Sequence, residues 1–160
     1  MFELTVIATG RLKEPHYLAA CQEYQKRLGA YARVQVIELP EQRLPDQPAL
    51  AQIQAALAKE AQAVRQKLPR GAFLCVLTPE GRLLSSEQLA GQLSALKSRG
   101  GSSAVFVLGS SYGLDEDLKR QADLLLSMSP MTFPHHLARV MLLEQLYRAE
   151  TIQAGGKYHK

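Results

Sequence analysis

The residues best suited to chemistry lie near the end of the chain, in residues 128–134 and in the helix predicted after them. The segment 128–134 (MSPMTFP) places apolar Met and Phe side chains between and beside two prolines, whereas surface turns are usually polar. Such a loop packs either against the body of the protein or against a flat, partly apolar ligand. Its side chains suit an adenine ring and a thioether or sulfonium group, and its backbone can hydrogen-bond the ring edge.

Four side chains downstream of this loop are candidates for catalysis or substrate binding. His135 begins the last predicted helix, where the helix dipole lowers the pKa of an imidazole and favours a neutral base; on this signal alone, a capping or packing role is the commoner one. Arg148 can bind phosphate, or it can pair with Glu144 at the i, i+4 spacing. Tyr158 and His159 form an aromatic, basic tail that suits RNA, and the alternative is a frayed terminus.

Strands and helices alternate along the chain that carries these residues. Short apolar or alternating runs predict strands at residues 2–8, 32–39, 72–77, 103–108 and 124–127. Helical spacing and caps predict helices at residues 15–28, 49–67, 85–98 and 115–122, and a long last helix from residue 135. This alternation predicts an α/β fold with a mainly parallel sheet flanked by helices.

Three of the predicted strands end in unusual loops, at residues 78–81, 109–113 and 128–134. Because ligands bind beyond the carboxyl ends of parallel strands, we expect these loops to form one site. Gly109 and Gly113 let the backbone turn sharply and let a ligand approach its N–H groups. Their spacing is not a dinucleotide-binding motif, however, and an ordinary turn is the simpler explanation of these two glycines.

The last helix is apolar on more than one side. The residues responsible are Leu137, Val140, Met141, Leu142, Leu143, Leu146 and Tyr147. Such a helix is covered on more than one side, and in a small protein the second cover is often another subunit.

Length and composition predict one domain over residues 1–160. No apolar run is long enough to cross a membrane, and the N-terminus lacks the pattern of a secretory signal, so a cytoplasmic protein is expected. Cys21 and Cys75 are predicted to be buried thiols, and no Cys/His spacing indicates a metal site. The net charge of +4 permits a nucleic-acid partner without requiring one.

Several segments of the sequence match motifs of one known family. They are residues 8–14 (ATGRLKE), 23–28 (EYQKRL), 106–109 (FVLG), 131–135 (MTFPH), 137–140 (LARV), 143–149 (LEQLYRA) and 158–160 (YHK). With these segments the chain resembles the RlmH family of SPOUT-class methyltransferases over almost its whole length, apart from the stretch at residues 41–54.

The resemblance implies a C-terminal trefoil knot, an exception to the general rule against knotted chains, and a homodimer with the knot region at its interface. It implies S-adenosyl-L-methionine as the cofactor, held by Leu77, Gly109, Met128, Ser129, Pro130, Met131, Thr132 and Phe133. The implied reaction is methylation of N3 of a pseudouridine in 23S rRNA, on the assembled ribosome. His135 is then a hydrogen-bond partner or base, while Arg148, Tyr158 and His159 hold the target nucleotide, across the dimer.

Two positions depart from the family pattern. Ser110 follows Gly109 where the family commonly has a second glycine, and Pro130 stands where the family often has lysine. Proline has no backbone N–H, so the affinity for the cofactor is expected to be lower if the family uses the N–H at this position to hold the cofactor. Neither change touches the residues expected to hold the substrate, so the activity is expected to be kept.

Three other functions compete with this interpretation. A SPOUT enzyme with another RNA target differs in which RNA gains the methyl group. A ribosome-binding protein without catalysis differs in failing to bind the cofactor. A flavodoxin-like nucleotide-binding domain predicts an unknotted monomer.

Overall fold

The computed structural model describes residues 1–160 as strands and helices in strict alternation. The strands are β1 (Glu3–Thr9), β2 (Arg33–Leu39), β3 (Phe73–Leu83), β4 (Ser103–Leu108) and β5 (Leu124–Ser127). The helices are α1 (Pro15–Leu28), α2 (Leu50–Arg65), α3 (Ser86–Ser98), α4 (Glu116–Gln121) and α5 (His135–Gln153). The predicted α/β alternation is therefore confirmed, with one substantial difference in β3.

All five strands form one sheet in the order β2-β1-β4-β3-β5, and every neighbouring pair is parallel. The predicted parallel sheet is confirmed. A flavodoxin-like domain has the order 2-1-3-4-5 instead, so the flavodoxin-like alternative is wrong.

Helices cover both faces of the sheet. Successive side chains of a strand point to opposite faces, and β1 shows this: Leu4 and Val6 join the cluster with α1, α3 and α5, whereas Ile7 joins the cluster with α2 and α4. The central strand β4 is buried along its whole length. The edge strand β2 is partly exposed, as its alternating sequence predicts.

Strand β3 is longer than the sequence predicts. We expected it to end at Leu77 in a turn at residues 78–81, but it continues to Leu83, and Leu126 of β5 pairs with Leu77 and again with Arg82. The intervening residues bulge across β5. A Cβ at Gly81 would lie 2.7 Å from backbone atoms of β5, so only glycine permits this crossing. The trefoil knot itself stays a prediction of the resemblance.

Helix α5 packs against both α1 and α3, which confirms that it is covered on more than one side. Leu142, Leu143 and Leu146 are fully buried there. Leu137 and Met141, by contrast, remain half-buried.

The two cysteines are buried free thiols, as predicted, and burial raises the pKa of Cys75 to about 12.

The predicted helix caps are present. Ser85 and Gln88 form a reciprocal capping box at α3: Ser85 Oγ accepts the Gln88 N–H at 3.1 Å, and Gln88 Oε1 accepts the Ser85 N–H at 2.8 Å. Asp115 accepts the N–H of Leu118 at 3.2 Å and so starts α4.

None of the helices is both long and apolar enough to span a bilayer. No cluster of His, Cys, Asp and Glu side chains has the arrangement of a metal site.

Candidate cofactor pocket and tail cluster

A cavity of about 550 Å³ lies beyond the carboxyl ends of β4 and β5 and beside the middle of β3. Two of the three expected loops, at residues 109–113 and 128–134, meet around it, whereas residues 78–80 line it as part of β3. All the residues expected to hold the cofactor line this cavity: Leu77, Gly109, Met128, Ser129, Pro130, Met131, Thr132 and Phe133. A smaller cavity of about 230 Å³ opens near the start of β3 and has none of these loops.

The loop at residues 109–113 is a tight turn that needs its glycines. A Cβ on Gly109 would lie 2.3 Å from the carbonyl oxygen of Gly113, and Gly113 has a φ of +92°. The turn is closed by the Gly113 N–H, which donates to the carbonyl of Ser110 at 2.9 Å. Both glycines are thus required by the turn itself, and the cavity gains a wall of closely packed backbone.

The loop at residues 128–134 is ordered by its own hydrogen bonds and lies outside the core. Ser127 Oγ donates to the carbonyl of Ser129 at 3.1 Å, and Ser129 Oγ accepts the Met131 N–H at 3.0 Å. Met131 is 74% exposed, although Phe133 is half-buried. The alternative in which this loop is packed into the core is therefore wrong. The remaining interpretation is that a ligand or a partner protein packs against its apolar side chains.

His135 lies in the cavity wall, to which α5 also contributes Ala138. Its pKa is lowered, as predicted, but burial is the largest cause and the neighbouring His136 the second. The two imidazole rings lie 4.2 Å apart. His136 Nδ1 in turn lies 3.0 Å from Glu14 Oε2. The cavity therefore has a neutral imidazole in its wall at neutral pH.

An ion pair between a buried arginine and a partly exposed glutamate fixes the start of α5. Arg139, only 3% exposed, donates to Glu38 Oε2 at 2.6 Å and to the carbonyl of Gly10 at 3.1 Å. Glu38 also accepts the Leu12 N–H at 2.8 Å. Although burial opposes its ionisation, these hydrogen bonds lower the pKa of Glu38. They tie the loop after β1 to the helix turn that carries His135.

The charges at the rim of the cavity already have partners. Lys119 Nζ donates to Glu80 Oε1 at 2.7 Å and to Glu116 Oε1 at 3.0 Å. The hydrogen bond from Lys119 lowers the pKa of Glu80 to about 2. The sequence interpretation missed this pair, because the two residues belong to different elements.

Arg148, Tyr158 and His159 meet Glu144 and Glu87 in what we call the tail cluster. Tyr158 OH donates to Glu144 Oε1 at 3.0 Å, and Arg148 Nε donates to the same oxygen at 3.0 Å. The Arg148 guanidinium also lies over the Tyr158 ring, 4.7 Å from its centroid. The pairing of Arg148 with Glu144 that the spacing predicted is present, and the tail is folded back onto α5 rather than frayed.

Hydrogen bonds also determine the tautomer of His159. Arg148 Nη1 lies 3.1 Å from His159 Nδ1 and can only donate, so Nδ1 is the acceptor. His159 Nε2 then carries the proton and donates to Glu87 Oε1 at 2.7 Å. Burial and the Glu144 carboxylate raise the pKa of Tyr158 to about 12, which keeps its hydroxyl protonated.

The four residues expected to act on the substrate do not meet in one protomer. His135 lines the cavity, whereas Arg148, Tyr158 and His159 do not. His135 and Arg148 lie about 20 Å apart along α5, at the rise of an α-helix. The tail cluster of a protomer is therefore separate from that protomer's own cavity.

Comparison with known proteins defines the class of this fold and cavity. The family model described as "Predicted SPOUT methyltransferase" matches residues 2–159. The chain is therefore a member of the SPOUT methyltransferase class.

Curated relatives identify the family within that class. "Ribosomal RNA large subunit methyltransferase H" of Moorella thermoacetica is 44% identical over 160 residues, which is all of both chains. The proteins of the same name from Alkaliphilus oremlandii and Streptococcus equi are 40% and 41% identical over 98% and 99% of this chain, and over 99% of their own lengths. This chain belongs to the RlmH family.

Solved structures support the fold. A methylase-family protein of Haemophilus influenzae matches 99% of this chain and 70% of its own, with a TM-score of 0.53 and 14% identity. One from Neisseria gonorrhoeae matches 90% of this chain and 81% of its own, with a TM-score of 0.54 and 16% identity. At these identities the likeness concerns the fold alone.

Proposed function

We propose that this chain is an S-adenosylmethionine-dependent methyltransferase acting on 23S rRNA of the large ribosomal subunit. The observation that carries the proposal is the full-length 44% identity to a relative named for methylation of large-subunit ribosomal RNA. The cavity supports it, because every residue expected from the resemblance to hold the cofactor lies in its wall. The basic net charge of +4 suits an RNA partner.

The residues of the cavity fit S-adenosylmethionine. A volume of about 550 Å³ is in the range of sites that enclose a small molecule. Met128, Met131 and Phe133 offer polarizable and aromatic surfaces to an adenine ring, and the two tight loops offer backbone N–H and C=O groups to its polar edge. When bound, the cofactor supplies a methyl group already activated on a sulfonium sulfur.

We propose N3 of a pseudouridine as the methyl acceptor. An imide nitrogen is weakly acidic and must lose its proton before it becomes a nucleophile. His135 is neutral because burial lowers its pKa, so its free nitrogen can accept a hydrogen bond, or the proton itself, at the cavity wall. The protein otherwise contributes positioning and exclusion of water.

Arg148, Tyr158 and His159 are proposed to hold the target nucleotide. A guanidinium suits a phosphate, and an aromatic ring suits a base. Since this cluster lies about 20 Å from His135 along α5, we propose that the chain is a homodimer in which the tail of one protomer faces the cavity of the other. The half-buried Leu137 and Met141 and the exposed Met131 supply apolar surface for that interface.

The substrate is proposed to be the assembled ribosome, in the cytoplasm. A domain of 160 residues has little surface for RNA beyond its cavity. A large preformed particle, with its RNA already in place, supplies the missing recognition.

Calorimetric titration with S-adenosylmethionine tests the cofactor site. We expect one binding site per chain that is lost when Phe133 and Met128, at the cavity wall, are both changed to Asp. The matched control is Leu50→Asp, because Leu50 is 70% exposed and does not line the cavity. Absence of binding by the unmodified protein, alone and in the presence of ribosomes, would instead favour a ribosome-binding protein without catalysis.

A further inference from the structure

Glu60 is a buried carboxyl group just behind the cavity wall, and the proposed chemistry does not use it. It lies on α2 and is only 5% exposed. Its two oxygens have different partners: Oε1 accepts a hydrogen bond from Ser110 Oγ at 2.9 Å, and Oε2 accepts the Gln42 N–H at 2.8 Å. One carboxyl group thus joins α2 to the segment after β2 and to the cavity loop after β4.

We propose that Glu60 is a positioning residue that holds the loop at residues 109–113 in its cofactor-binding conformation through Ser110. The inference rests on the proposed cofactor site. Glu60 does not itself line the cavity, whereas Gly109 and Ser110 do. Any effect of Glu60 on the cofactor must therefore pass through the loop.

The loop is built so that a displacement of Ser110 moves its neighbours. The carbonyl of Ser110 accepts the Gly113 N–H at 2.9 Å. Gly109 is packed so closely against Gly113 that a Cβ there would lie 2.3 Å from the Gly113 carbonyl oxygen. Closely packed groups transmit a shift rather than absorb it. Release of the Ser110 side chain therefore loosens the backbone that forms the cavity wall.

The hydrogen bonds of Glu60 persist in either protonation state. Burial raises the pKa of Glu60, with the nearby Glu41 acting in the same direction, while the Gln42 and Ser110 hydrogen bonds oppose the rise. An ionised carboxylate accepts from both partners. A neutral carboxyl group accepts from the Gln42 N–H and donates to the Ser110 hydroxyl, which can act as donor or acceptor. An amide has the same capacity, so glutamine can replace Glu60 in this role.

A second carboxyl group that contacts the same loop provides a matched control. Glu41 Oε1 accepts a hydrogen bond from Ser111 Oγ at 3.2 Å, but this pair is exposed, and Glu41 does not line the cavity. An exposed hydrogen bond exchanges readily with water and fixes little, whereas a buried one leaves an unpaired polar group when its partner is lost. Glu41→Ala is therefore expected to leave the loop in place, although it also removes a carboxyl group that is hydrogen-bonded to the loop.

The test compares Glu60→Ala, Glu60→Gln, Ser110→Ala, the double variant Glu60→Ala/Ser110→Ala, and Glu41→Ala. Two quantities are measured: the Kd for S-adenosylmethionine, and hydrogen exchange of the amides at residues 109–113 in cofactor-free protein. We expect Glu60→Ala and Ser110→Ala each to weaken binding about tenfold and to speed exchange in the loop. The double variant should be no weaker than the weaker single variant, because both remove one interaction. Glu60→Gln and Glu41→Ala should bind within about twofold of the unmodified protein.

Other outcomes overturn the proposal. An unchanged Kd and unchanged loop exchange in Ser110→Ala would show that the hydrogen bond positions nothing, whether or not Glu60→Ala folds. Additive effects of the two alanine changes would show that Glu60 acts by another route. If the unmodified protein binds no cofactor, the proposed function fails, but loop exchange still decides whether Glu60 holds the loop.

Discussion

His135 and Arg148 lie on the same helix, α5, about 20 Å apart along its axis. The two side chains of one protomer therefore cannot both contact the same atom of a substrate. His135 lines the cavity, and Arg148 joins Tyr158 and His159 at the far end of the helix. A straight helix does not bend to close this distance. The proposed active site is therefore composite, with contributions from two protomers.

Loss of the tail cluster should abolish methylation and leave the cofactor bound. His159→Ala and Arg148→Ala each remove a group that is proposed to hold the target nucleotide and that does not line the cavity. We expect methyl transfer to fall by at least about a hundredfold, with the Kd for S-adenosylmethionine within about twofold. Arg33→Ala is the control, because Arg33 forms an exposed ion pair with Glu3 on the edge strand. Equal loss of cofactor affinity in both tail variants would refute the division of roles.

Mixed dimers separate a composite site from a self-contained one. One chain carries His159→Ala, and the other carries the cavity substitutions Met128→Asp and Phe133→Asp. If the tail acts across the dimer, each heterodimer retains one intact site, formed by the unaltered cavity and the unaltered tail. Co-expression, with different tags for isolation, should thus restore about half of the activity per dimer. If the heterodimers are as inactive as the two homodimeric variants, the tail of each protomer acts on the cavity of the same protomer.

Substitution by alanine should have opposite effects on stability at Gly109 and at Gly91. Gly109→Ala places a Cβ 2.3 Å from the Gly113 carbonyl oxygen, which is expected to lower the free energy of unfolding by about 1–3 kcal/mol and to weaken cofactor binding. Gly91, inside α3, has nothing within 4 Å of an added Cβ. Gly91→Ala should stabilise the protein by about 0.5–1 kcal/mol. Urea unfolding measures both changes. An unchanged free energy of unfolding in Gly109→Ala would show that the turn has room for a Cβ.

His135 should titrate below 6.5, the ordinary imidazole value, because burial disfavours its charged form. A base with a lowered pKa in the folded state binds fewer protons there than in the unfolded chain. Its contribution to stability is therefore fully present above pH 6.5 and declines as the pH falls from that value toward the folded pKa. Proton NMR of the imidazole measures the pKa directly.

Comparison with His135→Asn isolates this contribution. The variant cannot titrate near neutral pH, so its free energy of unfolding should fall less between neutral and mildly acidic pH than that of the unmodified protein. Equal slopes for the two proteins, or a midpoint at or above 6.5 for His135, would contradict a neutral base at the cavity wall.

Local patterns predicted most of the fold. The buried run at Ser103–Leu108 and the cap residues Ser85 and Asp115 specify their elements through interactions with near neighbours in the chain. The end of β3 was missed because its last residues are strand only by pairing with β5. Tertiary pairing overrode the turn-forming sequence at residues 78–81.

The site was predicted in part for a similar reason. Segments that follow buried parallel strands meet by topology, and all three expected segments contribute to one cavity, although residues 78–80 do so as part of β3 and not as a loop. The pairs Glu60–Ser110 and Arg139–Glu38 join residues far apart in sequence. No periodicity or spacing marks such pairs, since each is specified only by the packing of α2 or α5 against the sheet.

Mapping of methyl groups in ribosomal RNA tests the central claim most directly. Ribosomes from a strain lacking the family's modification are incubated with the protein and S-adenosylmethionine, and the 23S rRNA is digested and analysed by mass spectrometry. We predict one new methyl group, on N3 of a pseudouridine, and none after incubation with His159→Ala. A methyl group on another RNA or another atom, or none with cofactor-bound protein, would contradict it.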